Sequence, residues 1–272
     1  MQSTFSLHGK VVVISGGTGV LGSELSRGLA QAGAKVAILG RDPHKRDRVV
    51  ADIQGAQGDA MGILCDVCNQ EDLLRARDEI LAKYGTIDIL INGAGGNRPS
   101  ATTSPSLSFF DLPEGDLDWV MRLNFMGTLL PTQIFGEVFA EKKQGVILNI
   151  SSMASLQPLT NVVGYSAAKA AINNLTQWLA VHFNKNYSAD IRVNALAPGF
   201  FLTEQNRFLL TDEKTGELTP RGKTILEHTP MGRFGEPSDL VGTAIWLVSD
   251  ASRFVTGIVV PVDGGFSAFS GV

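Results

Sequence analysis

Tyr165 and Lys169 stand four residues apart in Tyr165-Ser-Ala-Ala-Lys169. On a helix that spacing sets them on one face, one turn apart. A phenol is a poor base at its usual pKa near ~10. Lowering that pKa by about three units takes roughly 4 kcal/mol of preference for phenolate, about what one cation ~4 Å away supplies at an effective dielectric of 20. Lys169 is such a cation, so the pair is suited to taking a proton from an oxygen or returning it. A second group of residues suits a different task. Ser15-Gly16-Gly17-Thr18-Gly19-Val20-Leu21-Gly22 contains G-x-G-x-x-G at Gly17, Gly19 and Gly22, after an apolar run and before a helical one. Glycines there permit a tight turn and let backbone N–H groups approach a pyrophosphate at a helix N-terminus. The spacing predicts dinucleotide binding.

These residues need a frame, and the rest of the chain predicts one. Lys10–Ser15 reads as a buried parallel strand, and Val20–Ala32 as a helix stopping at Gly33. Further strands are expected at Lys35–Leu39, Ala60–Cys65, Ile87–Ile91, Gly145–Ile150, Asp190–Ala195 and Gly257–Val260. Helical stretches fall near 43–54, 69–84, 116–141, 163–184 and 237–248. Such alternation predicts an α/β fold: one doubly wound Rossmann-type domain over 1–272, with a parallel sheet of about seven strands. Ligands then bind beyond the carboxyl ends of the strands. At the end of the second strand, Leu39-Gly40-Arg41-Asp42 lacks the carboxylate that would accept from ribose hydroxyls, and Arg41 follows at once. A guanidinium there favours NADP(H), with NAD(H) left open; a solvated Arg41 beside a helix cap at Asp42 is the plainer alternative.

Composition excludes several function classes. The 272 residues are 44% hydrophobic and 18% charged, enough apolar material for a packed core and too much for disorder. With 23 basic and 27 acidic residues the net charge is −4, which argues against nucleic acid or an anionic membrane as partner. No apolar run nears the ~20 residues of a membrane span. Met1–Lys10 is too polar for a signal peptide, and two cysteines make no disulfide framework, so a cytoplasmic location is expected. Cys65-Asp-Val-Cys68 has redox spacing, but His8, His44, His182 and His228 are scattered, so no metal is expected and Cys65 and Cys68 read as strand and loop residues.

Further residues occur in a telling order: Asn92-Gly93-Ala94-Gly95 after the fourth strand, Asn124 within the long helix, and Ser152 ending Asn149-Ile-Ser-Ser152, 13 residues before Tyr165. Ala197-Pro198-Gly199 leads to Thr203 after the sixth strand, and Val262-Asp-Gly-Gly265 lies near the end. With the Tyr–Lys pair, this sequence resembles the short-chain dehydrogenase/reductase family over nearly its whole length. The resemblance implies hydride transfer between a nicotinamide and a secondary alcohol or ketone. Tyr165 would be the acid/base, with Lys169 also holding the nicotinamide ribose. Ser152 would bond the reacting oxygen, and Asn124 would position a water in a proton relay. It implies cofactor contacts for Asp66 (at the adenine amino group, or else as a helix cap) and Val67. It implies the same for Asn92 to Gly95, and for Pro198, Gly199, Phe200 and Thr203. The family turn is T-G-x-x-x-G-x-G; here Ser15 replaces Thr, Val20 stands for a glycine, and Gly93 replaces a common Asn.

The variable loops at 96–114 and about 200–234 are polar, which suits a substrate with a carboxylate and hydroxyls. Gly93-Ala-Gly-Gly-Asn-Arg-Pro99, Leu130-Pro-Thr-Gln133, Gly199-Phe-Phe-Leu-Thr-Glu-Gln-Asn-Arg207 and the ending Gly265-Phe-Ser-Ala-Phe-Ser-Gly-Val272 are similar to the D-mannonate oxidoreductase (fructuronate reductase) subgroup. That similarity implies a sugar acid substrate, D-fructuronate or D-mannonate, contacted by Asn97, Arg98, Met153, Gln205 and Arg207. Gluconate 5-dehydrogenase-like and 3-ketoacyl-carrier-protein reductase activities are the rivals, and an NADP(H)-binding regulator without turnover is a rival of another class. Apolar residues on several faces of 116–141 and 163–184 fit the family's subunit interface, which implies a homotetramer. The apolar ending Phe266–Val272 is a second candidate contact between subunits.

Overall fold

The computed structural model describes residues 3–202, 210–212 and 215–271. Seven strands form one parallel sheet: β1 (Val11–Ser15), β2 (Lys35–Gly40), β3 (Asp59–Leu64), β4 (Ile89–Asn92), β5 (Gly145–Ile150), β6 (Ile191–Pro198) and β7 (Val259–Val262). Their order is β3-β2-β1-β4-β5-β6-β7, so the direction of winding reverses between β1 and β4. That reversal opens a crevice beyond the carboxyl ends of the two strands.

The strands are apolar on both faces because both faces are covered. Val12 and Ile14 of β1 pack with Leu25 and Leu29 of α1 (Val20–Gln31), while Val11 and Val13 point to the opposite cluster. The first face also carries α2 (Pro43–Gly55) and α8 (Val241–Val248). The second carries α3 (Gln70–Tyr84), α5 (Gly127–Lys142) and α6 (Val163–Asn186), whose Phe135, Phe139 and Phe183 fill the core against β4, β5 and β6. Among the described residues the further α-helices are α4 (Glu114–Met121) and α7 (Pro220–Glu227).

Several expected boundaries shift. The long helix expected over 116–141 is interrupted, because a π-helical segment at Arg122–Met126 separates α4 from α5. One extra residue per turn there changes which side chains face inward, and Asn124 sits inside it, fully buried. β5 stops at Ile150, so Ser152 lies two residues beyond the strand rather than ending it. β6 runs on to Pro198, so Ala197 and Pro198 belong to the strand they were expected to follow. β3 ends at Leu64, leaving Cys65 just past it.

Candidate active site

Beyond β1 and β4 lies a cleft of about 650 Å³. Its floor is the turn from Gly16 to Gly22. Gly16 has φ +66°, and a Cβ there would stand 2.5 Å from the Gly93 carbonyl oxygen. A Cβ on Gly22 would stand 2.1 Å from the Gly16 carbonyl oxygen. These two glycines, and not the middle Gly19 of the expected motif, are the ones the turn demands; Gly19 has φ −74°, open to any residue. Gly17 faces the core, where a Cβ would meet Ile14 and Ile38. Ser15 keeps the hydroxyl that Thr would supply: its Oγ accepts from the N–H groups of Gly93 (3.2 Å) and Ala94 (3.3 Å), tying the turn to the β4 loop.

Whether this turn fits a pyrophosphate can be judged from its donors. Asp42 and Asn69 cap α2 and α3 through their side chains, but no side chain caps α1. Gly19 to Gly22, which open α1, line the cleft. The first-turn N–H groups of an uncapped helix need acceptors, and phosphate oxygens supply them. The residues therefore fit a dinucleotide, whose nicotinamide, when bound, supplies or accepts the hydride.

At the adenosine end, Thr18, Gly40 and Arg41 line the cleft. Gly40 is a glycine because Thr18 occupies its side-chain space: a Cβ would lie 2.6 Å from Thr18 Cγ2. Asp42, the nearest carboxylate in sequence, turns away and accepts from the N–H groups of His44 (3.0 Å) and Lys45 (3.1 Å), which hold it below the usual carboxylate range. Asp42 thus caps α2, as the plainer expectation had it, and Arg41 is an exposed residue at the rim of the cleft. Val67 also lines the cleft. Asp66 is no helix cap, since Asn69 caps α3; its Oδ1 accepts from the Cys68 N–H at 2.9 Å. Cys65, not foreseen there, lines the cleft as well, and burial pushes its thiol up to about 12, so it is inert as a nucleophile.

At the other end stand the proton-handling groups. Tyr165 lines the cleft, and the Lys169 ammonium lies 5.6 Å from its ring centre. Lys169 is 4% exposed and donates to the Ile150 carbonyl at 2.8 Å; burial pushes its pKa down to about 8. Burial raises the Tyr165 pKa, and a hydrogen bond with Ser152 works against that rise. In the protein alone Tyr165 is therefore held as the phenol. Burial thus works against charge on both partners, opposite in sign to the Lys169 attraction expected from the sequence.

Asn124 reaches the same place from the π segment. Its Nδ2 donates to the carbonyls of Gly96 (2.7 Å) and Val120 (2.8 Å), and its Oδ1 accepts from the Gly96 N–H (3.2 Å). A Cβ on Gly95 would sit 2.7 Å from Asn124 Oδ1 and 3.2 Å from Lys169 Nζ, so Gly95 is where these groups meet. The side chain of Asn92 departs from its expected place. It points under the sheet end, donating to Thr132 Oγ1 (3.0 Å) and Asn149 Oδ1 (2.9 Å). Phe200 likewise turns to a neighbouring cavity, with its ring 5.1 Å from that of Phe266. Gly199 lines the cleft and needs its bareness, since a Cβ would lie 2.6 Å from Asp263 Cα.

Of the expected substrate residues, Asn97 lines the cleft. Arg98 does not stand free: it pairs with Asp116 at 2.7 Å and lies over the Trp119 ring at 3.7 Å. Met153 is buried. Gln205 and Arg207 lie outside the described residues, as does Thr203, which was expected at the cofactor. Gly96, Leu123 and Phe201 line the cleft without having been foreseen; Phe201, two places beyond Gly199, was within reach of the loop argument.

A sequence model of a protein family described as enoyl-(acyl carrier protein) reductase matches residues 19–267. The chain belongs to the short-chain dehydrogenase/reductase family. As a member it is an NAD(P)-binding oxidoreductase acting on hydroxyl groups. The chain is 48% identical to an uncharacterized oxidoreductase, UxuB, of Bacillus subtilis, over 98% of both chains. It matches the structure of a provisionally assigned D-mannonate oxidoreductase from Haemophilus influenzae with bound NAD, at a TM-score of 0.92 and 45% identity over 98% of both. A gluconate 5-dehydrogenase from Burkholderia cenocepacia, in complex with NADP and tartrate, matches at 0.86 and 32%, again over 98% of both. Among the described residues no helix is long and apolar enough to cross a membrane.

Proposed function

We propose that this reductase reversibly reduces the keto group of a sugar acid, D-fructuronate, to the hydroxyl of D-mannonate, with Asn124, Ser152, Tyr165 and Lys169 as its working residues. The observation that carries the reaction is Tyr165 at the cleft, with the Lys169 ammonium 5.6 Å from its ring centre. A phenol so placed gives its proton to the ketone oxygen, and Ser152 donates a hydrogen bond to the same oxygen. Lys169 keeps the phenolate left behind from standing unpaired.

The sugar acid is supported by the likeness to the Haemophilus protein and to a gluconate dehydrogenase that binds tartrate, itself a hydroxylated acid. Arg98 is already neutralised by Asp116, so recognition of the carboxylate passes to Arg207. Arg207→Ala is expected to raise KM for D-fructuronate about tenfold, the worth of one charge-assisted hydrogen bond, and to leave KM for a neutral ketose unchanged. Arg98→Ala is expected to affect both substrates alike. Equal effects of Arg207→Ala on both would end the carboxylate argument.

For the cofactor we favour NADP(H), since Arg41 borders the cleft and no acid occupies the end of β2. Arg41→Ala should then raise KM for NADPH about tenfold and leave that for NADH within about twofold. An equal rise for both would make Arg41 a general phosphate contact. A homotetramer is supported by the exposed Trp178 and Val181 on α6, and a cytoplasmic place is the reading carried from composition.

A further inference from the structure

We infer that Asn173 is a positioning residue for Ser152, acting through a directed run of hydrogen bonds that ties the serine's loop to the helix bearing Tyr165. Tyr165, Lys169 and Asn173 follow one another at four-residue steps on α6 and so share a face. Ser151 Oγ donates to Asn173 Oδ1 at 2.6 Å. Asn173 Nδ2 donates to Ser155 Oγ at 2.7 Å, and Ser155 Oγ donates to the Ser152 carbonyl at 2.5 Å. A hydroxyl has one proton, so committing each to these short contacts gives the run one direction, ending on the backbone of Ser152.

The residue types suit the task. An amide both accepts and donates without charge, which Asp cannot do when ionised, and Gln would reach a methylene too far. Ser152 needs such help because it stands outside the sheet ladder. Upstream, the Ser151 N–H donates to the Leu196 carbonyl at 2.8 Å, which fixes the loop to β6. Downstream, the link to α6 runs through Ser155 and Asn173. The hydroxyl of Ser152 must reach the oxygen that Tyr165 protonates, so the spacing between loop and helix sets whether both groups meet one substrate atom. Asn173 lines no part of the cleft, so its loss leaves cofactor contacts in place. The inference rests on the proposed roles of Ser152 and Tyr165.

The test compares Asn173→Leu and Ser155→Ala, each alone and combined with Ser152→Ala, in the reduction of D-fructuronate by NADPH. A crystal structure of Asn173→Leu with NADP accompanies the kinetics. Each single change is expected to lower kcat by about 10- to 100-fold, the range for a misplaced catalytic group. KM for NADPH stays within about twofold, and neither change lowers kcat further once Ser152 is alanine. In the crystal structure Ser152 Oγ moves away from the Tyr165 hydroxyl. Losses that multiply in the Ser152→Ala background, or Ser152 Oγ held in place in the variant structure, would overturn the inference. If D-fructuronate is not turned over, the crystal structure decides alone. Wild-type kcat in Ser152→Ala would instead overturn the catalytic reading beneath it, a result distinct from wild-type kcat in Asn173→Leu alone.

Discussion

Tyr165→Phe is expected to lower kcat about a thousandfold while leaving the dissociation constant for the reduced cofactor within about twofold. The size follows from the makeup of the cleft. Among the described residues that line it, only Arg41, Cys65 and Tyr165 have ionisable side chains. A guanidinium is no proton source in proteins, and the Cys65 thiol is pushed up to about 12. Tyr165 thus has no substitute, and losing a positioned acid costs about 10²- to 10⁴-fold. Its raised pKa also fixes the sign of the pH dependence. Ketone reduction needs the phenol and the Lys169 ammonium, so kcat for reduction is level near pH 6 and falls as the pH approaches 8, where Lys169 loses its proton. Alcohol oxidation needs the phenolate, so its rate climbs with pH over the same range. Phenylalanine at 165 removes that climb. A variant keeping more than about a tenth of wild-type kcat would show that the proton comes from elsewhere.

Gly22→Ala is expected to abolish cofactor binding, weakening it by at least about 100-fold. The new methyl would be placed 2.1 Å from the Gly16 carbonyl oxygen and 3.0 Å from Gly17 Cα, both backbone atoms. No side chain can swing aside to make room, so the turn itself must open. Opening it displaces Gly16, which already abuts Gly93, and carries the strain across to the β4 loop. Gly19→Ala is the matched control. Its methyl would meet only the Gly16 carbonyl oxygen, at 3.4 Å, so the fold should hold. Fluorescence titration with NADPH, alongside thermal unfolding of both variants, separates a lost site from a lost fold. Equal binding in Gly22→Ala and the wild type would show that the turn is not the cofactor's seat.

Much of this arrangement was legible in the sequence. Apolar runs in strict alternation with helical stretches are enough to place seven strands, because a two-sided parallel sheet leaves no other pattern. Tyr165 and Lys169 declare themselves by helical spacing. What stayed hidden depends on partners far apart in the chain. The π segment around Asn124 adds one residue to a turn without changing the apolar pattern, so 116–141 reads as one helix. Arg98 reads as a free cation until the fold brings Asp116 and Trp119 to it. Gly40 reads as a missing acid, whereas the cause is Thr18, packed into its side-chain space from another loop. Asn173 stands four residues past Lys169 in plain view, yet its use appears only with Ser151 and Ser155 folded against it.

The most direct test of the account is the initial rate at the nicotinamide absorbance band. NADPH and NADH are each mixed with D-fructuronate, 5-ketogluconate and an acetoacetyl thioester. Oxidation of the cofactor is expected with D-fructuronate, faster with NADPH, with D-mannonate as the product. Turnover with the thioester alone, or tight cofactor binding with no turnover of any of the three, would contradict it.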